Sequence, residues 1–66
     1  MRIIVNNEPR DIPEGTTLAT LIHNLGLDDT PCAAEINKTL IPKRDHADHQ
    51  LHEGDTIELV TLVGGG

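Results

Sequence analysis

The first twelve residues of the chain show the pattern of a β-hairpin. Residues 1–5 are mostly aliphatic and β-branched, which favours a strand, and residues 9–12 resume an extended segment. Between these segments, Asn6 and Asn7 tolerate the left-handed backbone that a tight turn requires. We therefore predict a hairpin at the start of the chain.

A helical pattern follows this hairpin. The Pro-Glu-Gly sequence of residues 13–15 interrupts the extended segment, and the hydroxyl of Thr16 or Thr17 can cap a helix. Gly26 is placed to end that helix. Aliphatic side chains at helical spacing fall on one face between these two signals: Leu18, Leu21, Ile22 and Leu25.

The second half of the chain reads as three further strands. Residues 33–37 and 39–41 form a second hairpin, with Asn37 and Lys38 in its turn. The polar residues 43–49 predict an irregular loop or a short helical turn, and Leu51 can fix this segment to the core. A turn at Gly54 and Asp55 then leads into the apolar residues 57–63.

Two hairpins, one helix and a closing strand predict an α+β roll: a mixed sheet of four to five strands with one main helix packed on one face. The first and last strands are expected side by side. If Ile3 and Val5 point toward the helix, the alternation of side chains along a strand places Ile57 and Leu59 there too.

The same alternation leaves apolar side chains on the opposite sheet face. Val60, Leu62 and Ile4 fall there, beside the end of the chain. Val60, Leu62 and Val63 are therefore predicted to contribute to a docking patch for a protein partner. The alternative is that a loop of the chain partly covers them.

Composition limits the function. A chain of 66 residues forms one domain with a small core, which makes a catalytic pocket improbable, and without Phe, Tyr or Trp it offers no platform for stacking nucleic-acid bases. A net charge of −6 repels nucleic acid and anionic lipid and favours a basic protein partner, although it can also serve solubility alone.

The single cysteine excludes an internal disulfide. No stretch resembles a signal peptide or a membrane span, so we expect a cytoplasmic protein.

The sequence finishes with three glycines, Gly64, Gly65 and Gly66. Glycine stabilises little, but three extended residues reach roughly 10 Å and can pass through a narrow channel. These residues are therefore predicted to carry a carboxylate into a partner's active site. A frayed end without function is the alternative.

Four segments in order carry a resemblance that extends over the whole chain: residues 3–9, 36–44, 51–58 and 63–66. With them the chain resembles the ThiS-type sulfur carrier proteins of thiamine biosynthesis, which share the ubiquitin-like β-grasp fold. Two details depart from the family pattern. Asn6-Asn7 stands where an Asn-Gly turn is usual, and Lys43 separates Pro42 from an arginine that commonly follows it directly.

The resemblance implies a carrier and not an enzyme. In the family, a ThiF-like adenylyltransferase uses ATP and Mg²⁺ to adenylate the terminal glycine, which becomes a thiocarboxylate that supplies sulfur to thiazole synthase. The matching residue is Gly66, with Gly64 and Gly65 threading the partner's site. The chain itself would bind no cofactor, act as a monomer when alone, and receive sulfur through a donor such as a cysteine desulfurase. Residues 1–63 would form the domain and residues 64–66 a flexible tail.

Three histidines invite a metal-site interpretation. His46, His49 and His52 recur every third residue, a spacing that one helical turn could gather around Zn²⁺. A solvated loop beside Asp45 and Asp48 is favoured, and we predict no metal site.

Cys32 could carry a persulfide, but a lone cysteine after Pro31 is more often a packing residue. Lys43 and Arg44 are interpreted as solvated charge, with an acidic partner patch as the alternative. Three other functions stay open: a sister carrier for molybdopterin or cysteine synthesis, a ubiquitin-like protein modifier, and a plain β-grasp binding module.

Overall fold

The computed structural model describes residues 1–61, and residues 62–66 lie outside the described part of the chain. The predicted order of elements is confirmed. It comprises β1 (Arg2–Val5), β2 (Glu8–Asp11), α1 (Leu18–Asn24), β3 (Cys32–Ile36), β4 (Thr39–Ile41), a 3₁₀ helix (Lys43–Asp45) and β5 (Thr56–Thr61).

The five strands form one mixed sheet in the order β2-β1-β5-β3-β4. Strand β5 occupies the centre and runs parallel to β1, with Val5 beside Ile57. It runs antiparallel to β3, where the pairing extends from Ile36 beside Ile57 to Cys32 beside Thr61. The predicted neighbourhood of the first and last strands is therefore confirmed, as is the α+β roll.

Both hairpins turn through two residues with positive φ. Asn6 and Asn7 have φ of 50° and 70°, and Asn37 and Lys38 have φ of 51° and 71°. Positive φ at both central residues suits the right-handed twist of the flanking strands, as in type I′ turns. The Asn-Asn sequence thus serves the turn without glycine.

The predicted caps of α1 are both present. The Thr17 hydroxyl accepts a hydrogen bond from the Thr20 amide at 3.2 Å. Beyond the helix, Gly26 has a φ of 75°, and its amide donates to the His23 carbonyl at 2.9 Å. The Leu27 amide donates back to Ile22 at 3.1 Å. These two bonds make a Schellman motif, which needs a left-handed residue at the position of Gly26.

The core lies between α1 and one face of the sheet. Its members are all aliphatic, and Ile3, Leu18 and Ile57 are fully buried. The predicted inward residues of β1 and β5 are confirmed, because Ile3, Val5, Ile57 and Leu59 all belong to this core. Leu51 is buried too and fixes the loop that follows the 3₁₀ helix.

Candidate docking face and C-terminal strand

Strand β5 is the element that leads toward the predicted carrier residues. Its last described residue, Thr61, lies opposite Cys32 of β3. The predicted tail and two of the predicted docking residues lie outside the described residues: Leu62, Val63, Gly64, Gly65 and Gly66. Their roles stay predictions, and the described structure shows how the strand before them is held.

A chain of side-chain hydrogen bonds fixes the start of β5. The buried Asp55 carboxylate accepts from the His52 amide at 2.8 Å and from Asn37 Nδ2 at 3.0 Å. Asn37 Oδ1 in turn accepts from the Thr56 amide at 3.0 Å. The first residue of β5 is thereby tied to the turn between β3 and β4.

A second asparagine holds β5 farther along. Strand β1 ends at Val5, and the next rung is made by Asn6, whose Oδ1 accepts from the Leu59 amide at 2.9 Å. The Asn6 amide also donates to the Ile57 carbonyl at 2.9 Å. The turn residue therefore extends the pairing of β5 beyond the end of its neighbouring strand.

The sheet face opposite α1 carries all the large hydrophobic side chains that are exposed among residues 1–61. Ile4, Val60 and Leu40 are 39%, 58% and 63% exposed. We call this surface the open face. The predicted outward position of Val60 and Ile4 is confirmed, and no described loop covers Val60. Leu40 was missed, although the alternation in β4 could have indicated it, because its neighbour Ile41 packs against the core.

The open face also carries acidic side chains at its centre. Glu35 of β3 lies directly opposite Glu58 of β5. Within residues 1–61, neither carboxylate has a cationic group at salt-bridge distance. Like charges on directly opposed residues are unfavourable. A basic group supplied by a partner would relieve this repulsion.

An ion pair lies at the edge of the same face. Arg2 Nε donates to Asp11 Oδ1 at 3.0 Å, and both side chains are largely exposed. The hydrogen bond and the charge of Arg2 lower the pKa of the Asp11 carboxyl below its usual value. The pair joins β1 to β2 and leaves the central carboxylates of the open face unneutralised.

The predicted solvated histidine loop is wrong for His46, which is 7% exposed. Its Nε2 donates to the Ile41 carbonyl at 3.0 Å, and its own carbonyl accepts from the Ala19 amide at 3.0 Å. His46 therefore joins β4 to α1 as a structural residue. His49 is half-buried and His52 is exposed. Nowhere in residues 1–61 do three His, Cys, Asp or Glu side chains gather as a metal site would require.

Cys32 is half-buried and packs against the core, which agrees with the packing interpretation. Burial raises the pKa of its thiol and so disfavours the nucleophilic thiolate. Lys43 and Arg44 are exposed, and Arg44 approaches Asp45 at 4.0 Å. Across the described residues, no helix has the length and apolar character needed to cross a membrane.

Comparison with known proteins decides the family. A model described as the ThiS family matches residues 3–66. The chain belongs to the ThiS family. The resemblance expected from the sequence is thereby confirmed, including its extent over nearly the whole chain.

Relatives of two kinds match this ThiS-family chain. It is 33% identical over 66 residues to a protein named thiazole synthase from Paramagnetospirillum magneticum, covering 100% of this chain and 20% of that protein. The chain thus spans about a fifth of that relative's length. It is also 29% identical over 66 residues to the sulfur carrier protein ThiS of Escherichia coli K12, covering 100% of both. The chain is therefore homologous to sulfur carrier proteins.

The fold agrees with a solved relative. A crystal structure of the thiamine biosynthesis protein ThiS from Geobacter metallireducens superposes with a TM-score of 0.83 and covers 100% of both chains at 22% identity. The predicted β-grasp fold is confirmed.

Proposed function

We propose that this protein carries sulfur for thiazole formation in thiamine biosynthesis. The match of residues 3–66 to the ThiS family carries the proposal, because it includes the three glycines as well as the domain. On this proposal the chain is a protein cosubstrate and its partners perform the catalysis.

The chemistry requires activation of the Gly66 carboxylate. A terminal carboxylate has a pKa of about 3.5, so it is an anion at neutral pH and resists nucleophilic attack. Its oxygen attacks the α-phosphorus of ATP, pyrophosphate leaves, and a glycyl adenylate forms. Hydrosulfide then displaces AMP and leaves a thiocarboxylate. If the sulfur comes from a persulfide of the donor, the acyl disulfide that forms first is cleaved by a thiol, which ends as a disulfide with the donor sulfur. Mg²⁺ and ATP belong to the adenylating partner, and the need for ATP favours the cytoplasm.

Gly64 and Gly65 would let the reactive group reach two different enzymes. Without side chains they can pass through a narrow channel. The match to one part of a protein named thiazole synthase supports thiazole synthase as the acceptor of sulfur. Joining carrier and synthase in one chain raises their effective concentration.

The open face is the proposed docking surface, and the exposed Val60 lies on it. Leu62 and Val63, which follow in the sequence, are proposed to take part in the same contact. Exposed aliphatic side chains around unneutralised carboxylates suit a partner surface that is apolar and basic. Val60→Lys is expected to weaken binding of the adenylating enzyme by about tenfold or more, since it replaces an apolar contact by a charge of the same sign as the partner's basic surface. Ala47→Lys adds the same charge at an exposed position outside the sheet and is the matched control.

Mass spectrometry tests the proposed function. The protein is incubated with ATP, Mg²⁺, its adenylating enzyme and a sulfur donor, and its intact mass is measured. We expect an increase equal to the difference between sulfur and oxygen, and fragmentation that places it at Gly66. Deletion of Gly66, or addition of one residue after it, should abolish the increase and leave the fold intact. Full activity of the extended protein, or lysine-linked conjugates in place of the thiocarboxylate, would contradict the proposal.

A further inference from the structure

The two sides of β5 are paired over different lengths. On one side, pairing with β3 extends to Thr61. On the other side, pairing with β1 stops where Val5 lies beside Ile57, and the Asn6 side chain adds one rung at Leu59. The last residues of β5 therefore have a neighbouring strand on one side only.

The register shows which backbone groups face the unpaired side. Toward β1, the carbonyl of Ile57 and the amide of Leu59 make hydrogen bonds. Toward β3, the carbonyl of Thr56 accepts from Asn37 at 2.8 Å. Because these directions alternate along a strand, the Leu59 carbonyl and the Thr61 amide point to the side of β1. No group within residues 1–61 bonds to either of them there.

A cleft of about 330 Å³ lies beside this edge. Its apolar lining comes from strands β1 and β5 and from the end of the helix, and Glu8 and Arg10 of β2 provide polar walls. Its principal apolar residues are Val5, Leu25, Leu27 and Leu59. An extended segment in the cleft would find backbone partners on β5 and an apolar surface for a side chain that points toward the helix.

We propose that the cleft binds an extended segment of the adenylating partner, which pairs with β5 as an added strand and places an aliphatic side chain toward Leu25 and Leu27. This inference rests on the proposed function. A partner that receives Gly66 must surround the residues after Thr61, which brings its backbone next to this edge. Unpaired strand groups of this kind are satisfied by strand addition, which supplies a donor and an acceptor at the required spacing.

A proline substitution isolates the backbone contribution. Thr61→Pro removes the amide proton that faces the cleft, and it spares the β3 ladder because residue 61 does not donate to β3. Thr61→Val keeps the amide and the β-branched shape, so it is the matched comparison. We expect the proline variant to bind the purified adenylating enzyme about tenfold more weakly than the valine variant, the effect of one well-made hydrogen bond. Urea unfolding of both variants verifies that the domain is intact.

Amide hydrogen exchange provides the second measurement. The Thr61 amide should exchange rapidly in the protein alone and become protected when the adenylating enzyme binds. Equal affinities of the proline and valine variants, for an enzyme that loads sulfur onto the wild-type chain, would overturn strand addition and leave the proposed function standing. Failure of that enzyme to load the wild-type chain would overturn the proposed function and this inference with it. Protection of Thr61 in a dimer of the chain alone would identify a second copy as the occupant and also overturn the inference.

Discussion

The hydrogen-bond chain at the start of β5 requires one acceptor-only side chain, and this requirement can be tested by exchanging its members. This series of hydrogen bonds has a backbone donor at each end: the amide of His52 and the amide of Thr56. The side chains of Asp55 and Asn37 lie between them. An ionised carboxylate only accepts, whereas an amide side chain accepts with one atom and donates with the other. Two amides in succession therefore leave two donors facing each other, whichever way the amides are turned.

Asp55→Asn creates this conflict in a side chain that is 8% exposed. A buried donor without an acceptor costs about 1–3 kcal/mol, so we expect the free energy of unfolding to fall by about 2 kcal/mol. Asn37→Asp alone places two carboxylates against each other and should cost at least as much. The double variant moves the acceptor-only group by one position and restores every donor–acceptor pair. Since Asp also tolerates the positive φ of residue 37, most of the lost stability should return.

Urea unfolding of the wild type, both single variants and the double variant measures the coupling directly. The two single effects add to about 4 kcal/mol, so recovery of most of the lost stability corresponds to a coupling energy of about 3 kcal/mol that favours the double variant. The dependence of the unfolding free energy on urea concentration should not change. An Asp55→Asn protein as stable as the wild type would refute the reasoning. The reasoning would also be refuted if the double variant lost as much unfolding free energy as the two single variants lose together.

Three further predictions concern charge and reactivity. Glu58→Gln should raise the free energy of unfolding by about 0.2–1 kcal/mol at low salt and by less at high salt, because it removes repulsion from Glu35; urea unfolding at two ionic strengths measures this. Arg2→Met should raise the pKa of the Asp11 carboxyl toward its usual value, which an NMR titration measures. In the wild type, the stability that this ion pair contributes is fully present above the usual carboxyl pKa. It is lost as the pH falls through the lowered pKa of Asp11. Cys32 should react more slowly with iodoacetamide in the folded protein than in urea, and Cys32→Ser should retain sulfur transfer.

The arrangement of the core could be predicted because its signals are local. Alternation along β5 places Ile57 and Leu59 inside and Val60 outside, and a single wrong register would have exchanged the two faces. The turn residues and the caps of α1 can also be predicted from short stretches of sequence. Predictions of this kind need only the periodicity of the chain and the conformational preferences of Asn, Thr and Gly.

His46 shows what such signals cannot provide. In the sequence it stands within a polar run and shares a spacing with two other histidines, which favours an exposed loop or a metal site. Its burial depends on the Ile41 carbonyl and on the Ala19 amide, which come from different elements. Only the packing of the loop against the helix and the end of β4 brings these groups together. A polar residue buried by a tertiary contact has no periodicity that reveals it.

The cleft beside β5 has a comparable origin, because it arises from the register of two parallel strands. The end of β1 can be read from the Asn6-Asn7 turn and the length of β5 from its apolar residues. The register of β1 against β5, which places Val5 beside Ile57, cannot be predicted from the sequence in this way. No turn joins these two strands, because the helix and the second hairpin lie between them in the sequence. The register is fixed where both strands pack their inward residues against α1, and the Asn6 side chain then bonds to Leu59. The binding edge is therefore a consequence of core packing: a change that shifts this register should move the unpaired Thr61 amide even if every residue of the cleft is retained.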